Sequence, residues 1–275
     1  MNAPHIAQVC MHMRQHARSG AWIGVAALLF CAATALTIAI CTSMSSKGGM
    51  PMPGGWTMSM AWARLCGQTW PGAAASFIGM WSSMTVAMML PALMPALWQY
   101  RAAAAGQGTA SAGPFALLAG AGYFAVWIAL GVALYPLCTG LAALALRVPV
   151  LARAAPFAAG VIVLLAGAFQ LSAAKARLLA CCRAAVPLRG VAWRVNAGAA
   201  WRHGVRLGWH CTGCCAGLTA MVLVIGVMDL RATALAAAAI AGERFARNGA
   251  RVARIVGAVL VAAGAMLLVK AIGVV

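Results

Sequence analysis

Acidic side chains are almost missing: Asp229 and Glu243 are the only two in 275 residues. That scarcity removes carboxylate-pair hydrolysis, aspartate-based ion pumping and oxygen-lined calcium cages from consideration. Charge of either sign is also thin, 8% of residues against 64% hydrophobic, where a soluble domain carries about a quarter charged and about half apolar residues. With a mean hydropathy of +0.93, the composition is that of an integral membrane protein. No Gly-x-x-x-x-Gly-Lys-Ser/Thr phosphate loop occurs, which argues against nucleotide-driven pumping by this chain alone. The 20 Lys and Arg residues give a net charge of +18, but the apolar runs between them are too long for a soluble basic domain, so no nucleic-acid partner is expected. The basic residues read instead as topology signals in a chain whose non-protein partner is membrane lipid.

Apolar stretches of about 20 residues predict an all-α, polytopic helical membrane protein. The first span runs from Trp22 to about Cys41, behind a tail of residues 1–21 that carries Arg14 and Arg18. It is too long for a signal-peptide core and has no clear cleavage site, so it reads as a retained span. Gly and Pro between Gly48 and Met60 forbid a regular helix and predict a flexible Met-rich loop within residues 42–69. Further spans are expected over about Pro71 to Trp98, with Pro91 and Pro95 kinking or ending its far half, Pro114 to about Leu137, and Pro156 to about Ala174. The basic stretch 175–206 belongs in the cytoplasm by the positive-inside rule, which also puts the amino terminus inside and the Met-rich loop outside. Leu207 to Ala241 is too long for one crossing. Splitting it near Met228-Asp229-Leu230-Arg231 gives seven spans, or six if it is one kinked helix, and the last runs from about Val252 to Ile272. Residues 22–275 thus form a single membrane domain.

Sulfur is what the chain has in excess, with 10 Cys and 16 Met. Thiolates and thioethers select Cu(I), zinc or iron–sulfur clusters over hard ions. Cys31, Cys41 and Cys138 stand alone in apolar runs and read as packing. Two groupings differ. In the second span Met80, Met84 and Met88 recur every four residues, with Met89 adjacent, so their thioethers share a helix face. In Trp209-His210-Cys211-Thr212-Gly213-Cys214-Cys215, both Cys214 and Cys215 lie one turn from Cys211, with His210 beside them. Soft-metal binding suits that geometry, and a redox dithiol is the alternative chemistry. Cys182 lies at the same expected membrane depth.

Three blocks of sequence resemble the bacterial predicted metal-binding integral membrane proteins, domain of unknown function 2182. They are Trp81-Ser-Ser-Met84-Thr-Val-Ala-Met88-Met89-Leu-Pro91 with Pro95; Phe169-Gln170-Leu171-Ser172 with Lys175 and Cys182-Arg183; and Cys211-Thr-Gly213-Cys214-Cys215 followed by Met221, Gly226-Val-Met228-Asp229 and Glu243-Arg244. The chain departs from that family's pattern at Leu178, Ala216 and Asp229, where a Cys, an aromatic and an Asn are usual. The resemblance implies a multispan metal-binding protein of a bacterial inner membrane.

A carboxylate at membrane depth is costly and marks function by default, which singles out Asp229; its bland reading is a polar helix end. Gln170 is a second intramembrane polar candidate. Lys175 reads as snorkelling and Glu243 with Arg247 as a helix pair. The expectation is therefore a binder of a soft metal, copper first and zinc as the alternative, for transfer, chaperoning or sensing. Met50, Met52, Met58 and Met60 would capture it, and Met84, Met88, Met89, Cys182, His210, Cys211, Cys214 and Cys215 would hold it. A periplasmic or membrane metalloprotein would be the partner. The competing readings are a membrane thiol–disulfide oxidoreductase and a passive subunit of a larger complex.

Overall fold

The computed structural model describes residues 3–45, 48–53, 55–59, 62, 67–106, 112–183 and 196–273, with side chains in the first helix from Trp22 to Met44. Its elements are α1 (Ala3–Ser45), β1 (Met50–Met52), β2 (Trp56–Met58), α2 (Trp70–Gly106), α3 (Ala112–Arg147), α4 (Pro149–Leu171), α5 (Ala173–Arg183), α6 (Ala197–Ile225), α7 (Leu230–Phe245) and α8 (Gly249–Gly273). The fold is all-α and polytopic. Six helices, α1 from Trp22, α2, α3, α4, α6 and α8, are long and apolar enough to cross a membrane. Of the two span counts expected, six is therefore the one the described helices match, although 207–241 is not one kinked helix. It breaks at 226–229, where a split was expected, and the 16-residue α7 is only about 24 Å long, short of the roughly 30 Å hydrocarbon core.

The break has a local cause. Gly226 ends α6 at φ 141°, a backbone angle that a side chain disfavours. Asp229 then starts α7 by accepting hydrogen bonds from the backbone N–H of Arg231 at 2.7 Å and Ala232 at 3.1 Å, satisfying donors a helix start leaves open. The same chemistry opens α6 upstream of the expected Leu207. Asn196 accepts from Ala199 N at 2.8 Å, and the helix carries Arg202 and Arg206 within its first turns. Pro91 and Pro95 do not end α2, which continues to Gly106. Ser172 breaks the chain between α4 and α5, donating to Phe169 O at 2.6 Å and accepting from Lys175 N at 3.1 Å.

Small residues let the helices approach closely, as bilayer packing requires where there is no hydrophobic drive between helices. On α4 and α8, Gly160 and Gly167 face the seam made by Gly257 and Gly264; a Cβ on Gly167 would lie 2.6 Å from Val261 N, and one on Gly264 2.6 Å from Leu164 N. On α3 and α6, a Cβ on Gly122 would lie 2.7 Å from Trp201 O and one on Gly208 2.8 Å from Tyr123 O, while Gly204 backs onto Ala119 O. This second seam sets Tyr123 against α6. The largest core cluster joins α2, α3 and α6, with Trp81 buried and its indole donating to Trp127 O at 2.8 Å.

The Met-rich segment is ordered where it is described. β1 and β2 pair antiparallel, Met50 opposite Met58 and Met52 opposite Trp56. Met52 and Met58 are buried against Ala145 and Ala152, and the Trp56 indole donates to Ala152 O at 2.8 Å. The expected flexible loop is thus a hairpin docked on the α3–α4 corner, because alternate side chains of a strand point to one face. Of the four capture candidates, Met50 is exposed, Met52 and Met58 are packed, and Met60 lies outside the described residues.

Candidate metal centre

The sulfur atoms converge beside the midpoint of α6, because the helix begins ten residues before the expected span. On a helix Cys215 lies about 40° round from Cys211 and Cys214 about 60° the other way. The three thiols therefore divide. Cys211 and Cys215 face the α2–α3 core, and Cys214 faces α5 with Leu179 and Cys182. All three are buried.

Cys211 Sγ is the hub. Cys215 Sγ stands 3.9 Å away and Met89 Sδ 4.0 Å away. The Tyr123 hydroxyl donates to it at 3.0 Å and Arg244 Nη2 donates at 3.1 Å. Metal–sulfur bonds of about 2.3 Å place sulfurs about 4.0 Å apart in a planar three-coordinate centre and about 3.8 Å apart in a tetrahedral one. Both measured separations fall there, and neutral thioether with thiolate is a soft donor set. Among the described residues no three His, Cys, Asp or Glu side chains come together in a way suited to a metal ion, and the candidate is this mixed grouping of two thiols and a thioether.

The other expected ligands fall around it. Met84 is buried in the same core cluster, and Met88 is half-buried beside it. Met89 rather than Met88 reaches Cys211, because the buried stripe of α2 runs through Phe77, Trp81, Thr85, Met89, Leu93 and Leu97 at four-residue steps. Cys182 packs on Cys214 at the α5–α6 contact, and its hydrogen bond to Cys214 together with burial pushes its thiol above the usual range. His210 is half-buried on α6. Asp229 is exposed and spent on capping α7, as its bland reading supposed.

Behind the sulfurs lies a polar girdle of which the sequence marked Gln170 as a candidate but gave other roles to Lys175 and Glu243. Lys175 is not snorkelling: it is wholly buried, its Nζ 2.6 Å from Glu243 Oε2 and 2.8 Å from Cys214 O. Glu243 is accordingly not the partner of Arg247. Its second oxygen accepts from buried Gln170 Nε2 at 2.7 Å. Arg183 closes the end of α7, donating to Glu243 O at 2.5 Å and Ala246 O at 2.7 Å, as basic side chains do at helix C-termini. Arg244, the next residue, donates through Nη1 to Cys182 O at 3.1 Å. Consecutive residues at the end of α7 thus serve both sides: Glu243 ties α4, α5 and α6 together, and Arg244 reaches Cys211. The rule that singled out Asp229, that an acid in an apolar chain is costly, applied equally to Glu243.

The model of a copper chaperone family, PpoB2, matches residues 78–267, which include every group of this centre. The chain belongs to that copper chaperone family. No curated protein and no solved structure matches it.

Proposed function

We propose that this member of a copper chaperone family works within a membrane, holding Cu(I) as cargo between the Cys211 and Cys215 thiolates and the Met89 thioether. The observation that carries the reading is the pair of sulfur separations, 3.9 and 4.0 Å, around a buried Cys211 that already receives two hydrogen-bond donors. Those donors stabilise the thiolate that a metal requires. Cys214 and Cys182 form the next pair of sulfurs, and Cys214 follows Cys211 by one turn of α6. Cargo moves between the two groups by ligand exchange, without a nucleotide or a phosphorylated acid. Met84 and Met88 extend the soft lining along α2, and Met50, on the exposed edge of the hairpin, is the entry contact that its exposure leaves open.

The placement of Lys and Arg supports an orientation in a bacterial inner membrane with the amino terminus and the basic stretch 175–206 on the cytoplasmic side and the hairpin outside. In that orientation residues 22–275 form the membrane domain behind the helical segment 3–21, and a periplasmic or membrane metalloprotein receives or supplies the ion. The test is Cu(I) loading of reduced, detergent-purified protein, wild type beside Cys211→Ser/Cys215→Ser and Met89→Leu. One copper per chain in the wild type, lost in the double variant and weakened in Met89→Leu, supports the reading. Equal copper in wild type and double variant overturns this site. A wild type that binds zinc but no copper changes the cargo, and one that binds neither yet shows an oxidation-dependent shift after thiol alkylation is a thiol–disulfide protein.

A further inference from the structure

The fixed charges around Cys211 do not cancel. Of the two acids in the chain, Asp229 is exposed at the opposite end of α7, and Glu243 is committed to Lys175 at 2.6 Å. Arg244 therefore brings a positive charge to within 3.1 Å of Cys211 Sγ with no carboxylate partner among the described residues. Its other nitrogen is held on Cys182 O at 3.1 Å, so the planar guanidinium is fixed on the sulfur rather than free to swing away.

We propose that Arg244 selects the valence of the bound ion, making the centre take a monovalent soft cation in preference to a divalent one. The inference rests on the reading of Cys211 and Cys215 as ligands. Binding displaces the two thiol protons to solvent and leaves two thiolates. With Cu(I) or Ag(I) these sum to one negative charge, which Arg244 neutralises. With Zn(II) or Cd(II) they sum to zero, and Arg244 is left as an uncompensated positive charge in the interior, an arrangement that low-dielectric surroundings penalise. Met89 is neutral and does not alter the sum. The Tyr123 hydroxyl favours anionic sulfur equally for either ion.

The experiment uses Ag(I) and Cd(II), which need no redox control, in competition titrations on full-length protein in detergent. The reading is the ratio of Ag(I) to Cd(II) affinity, with dithiothreitol as a dithiol that has no fixed charge beside it. Arg244→Gln lowers the ratio by at least about tenfold, the scale on which one nearby charge shifts thiolate equilibria, while Arg244→Lys keeps it within about threefold. A Gln variant that keeps the wild-type ratio, or a Lys variant that falls with Gln, overturns the proposal. Should neither variant accumulate folded, the wild type decides: its ratio exceeds that of dithiothreitol by at least about tenfold, and an equal ratio overturns the proposal. A wild type that binds neither ion defeats the metal-site reading itself, an outcome distinct from an unselective site.

Discussion

Lys175 Nζ and Glu243 Oε2 stand 2.6 Å apart, with both side chains almost wholly withdrawn from solvent, between the first turn of α5 and the last turn of α7. With the buried bonds from Gln170 to Glu243 and from Lys175 to Cys214 O, the pair links α4, α5, α6 and α7. Its role is to fix the end of α7, from which Arg244 reaches the sulfur cluster.

Breaking that pair leaves an unpaired buried charge, so Glu243→Gln and Lys175→Met are each expected to destabilise the protein by about 3–5 kcal/mol. The double variant Lys175→Met/Glu243→Leu removes both charges and recovers part of the loss, since a buried ion pair replaced by apolar groups is often near neutral. Thermal unfolding in detergent, followed by monodispersity, checks the order. If the double variant is less stable than either single one, the pair has no special weight.

Tyr123 and Cys211 are joined by a hydrogen bond of 3.0 Å. Tyr123→Phe removes the donor and keeps the ring, so the fold should persist while Cu(I) affinity falls by about three- to tenfold, the worth of one hydrogen bond of about 1 kcal/mol. Competition against a chromogenic Cu(I) chelator reads the change. Unaltered affinity would mean that the hydroxyl touches a sulfur that does not bind.

The glycine seam that presses α3 onto α6 offers a sharper contrast. Gly204→Val places a side chain against Ala119 O, whereas Gly140, also on α3, has nothing within 4 Å of a built Cβ. The first substitution should abolish folded yield or free Tyr123 from Cys211; Gly140→Ala should be neutral or slightly stabilising, because alanine forms helix better than glycine. Comparable loss from both would show that the seam is looser than its geometry.

What was legible in the sequence follows from the range of each signal. Apolar runs marked the crossing helices because burial in lipid leaves no freedom for charge, and the charge rule placed the break near Asp229 although Gly226 was overlooked. The start of α6 was hidden because Arg202 and Arg206 look like loop residues until Asn196 is seen to cap a helix. Cysteine type and spacing pointed to Cys211, Cys214 and Cys215, but the split between them depends on which helices face α6. Selecting Met89 over Met88 needs the rotational phase of α2, which only its packing on α1, α3 and α7 fixes. The hairpin was concealed by proline and glycine, although alternation in Met50-Pro51-Met52 and Trp56-Thr57-Met58 about a Pro-Gly-Gly turn was its signature. Glu243 and Arg244 were the least legible, since their partners lie 33 to 73 residues upstream on other helices.

The hairpin separates packing methionines from available ones. Met58 is 3% exposed and Met50 37%. Met58→Ser should loosen the hairpin from the α3–α4 corner, read as faster proteolysis in this segment, because a polar group then faces Ala145 and Ala152. Met50→Ser should leave proteolysis unchanged and slow only the uptake of Cu(I). Equal effects of the two on uptake would leave the exposed edge with no particular part in entry.

The short α7 carries the topology. If it crosses fully, Arg231 at its start and Asn248 just past its end face opposite compartments; if it is a re-entrant arm, both face the same side, with Glu243 and Arg244 at mid-depth. The mid-helix position of Cys214, whose carbonyl accepts from Lys175 at 2.8 Å, and the pairing of Lys175 with Glu243 place the end of α7 level with the centre of α6. A helix of about 24 Å then reaches from one face well past the middle of a core of roughly 30 Å. Single cysteines at positions 231 and 248, in a background where the native accessible cysteines are serine, are expected to differ in labelling. Position 231 reacts from outside with an impermeant maleimide, while exposed position 248, beside Arg183, does not. Labelling of both positions from outside would establish a re-entrant arm.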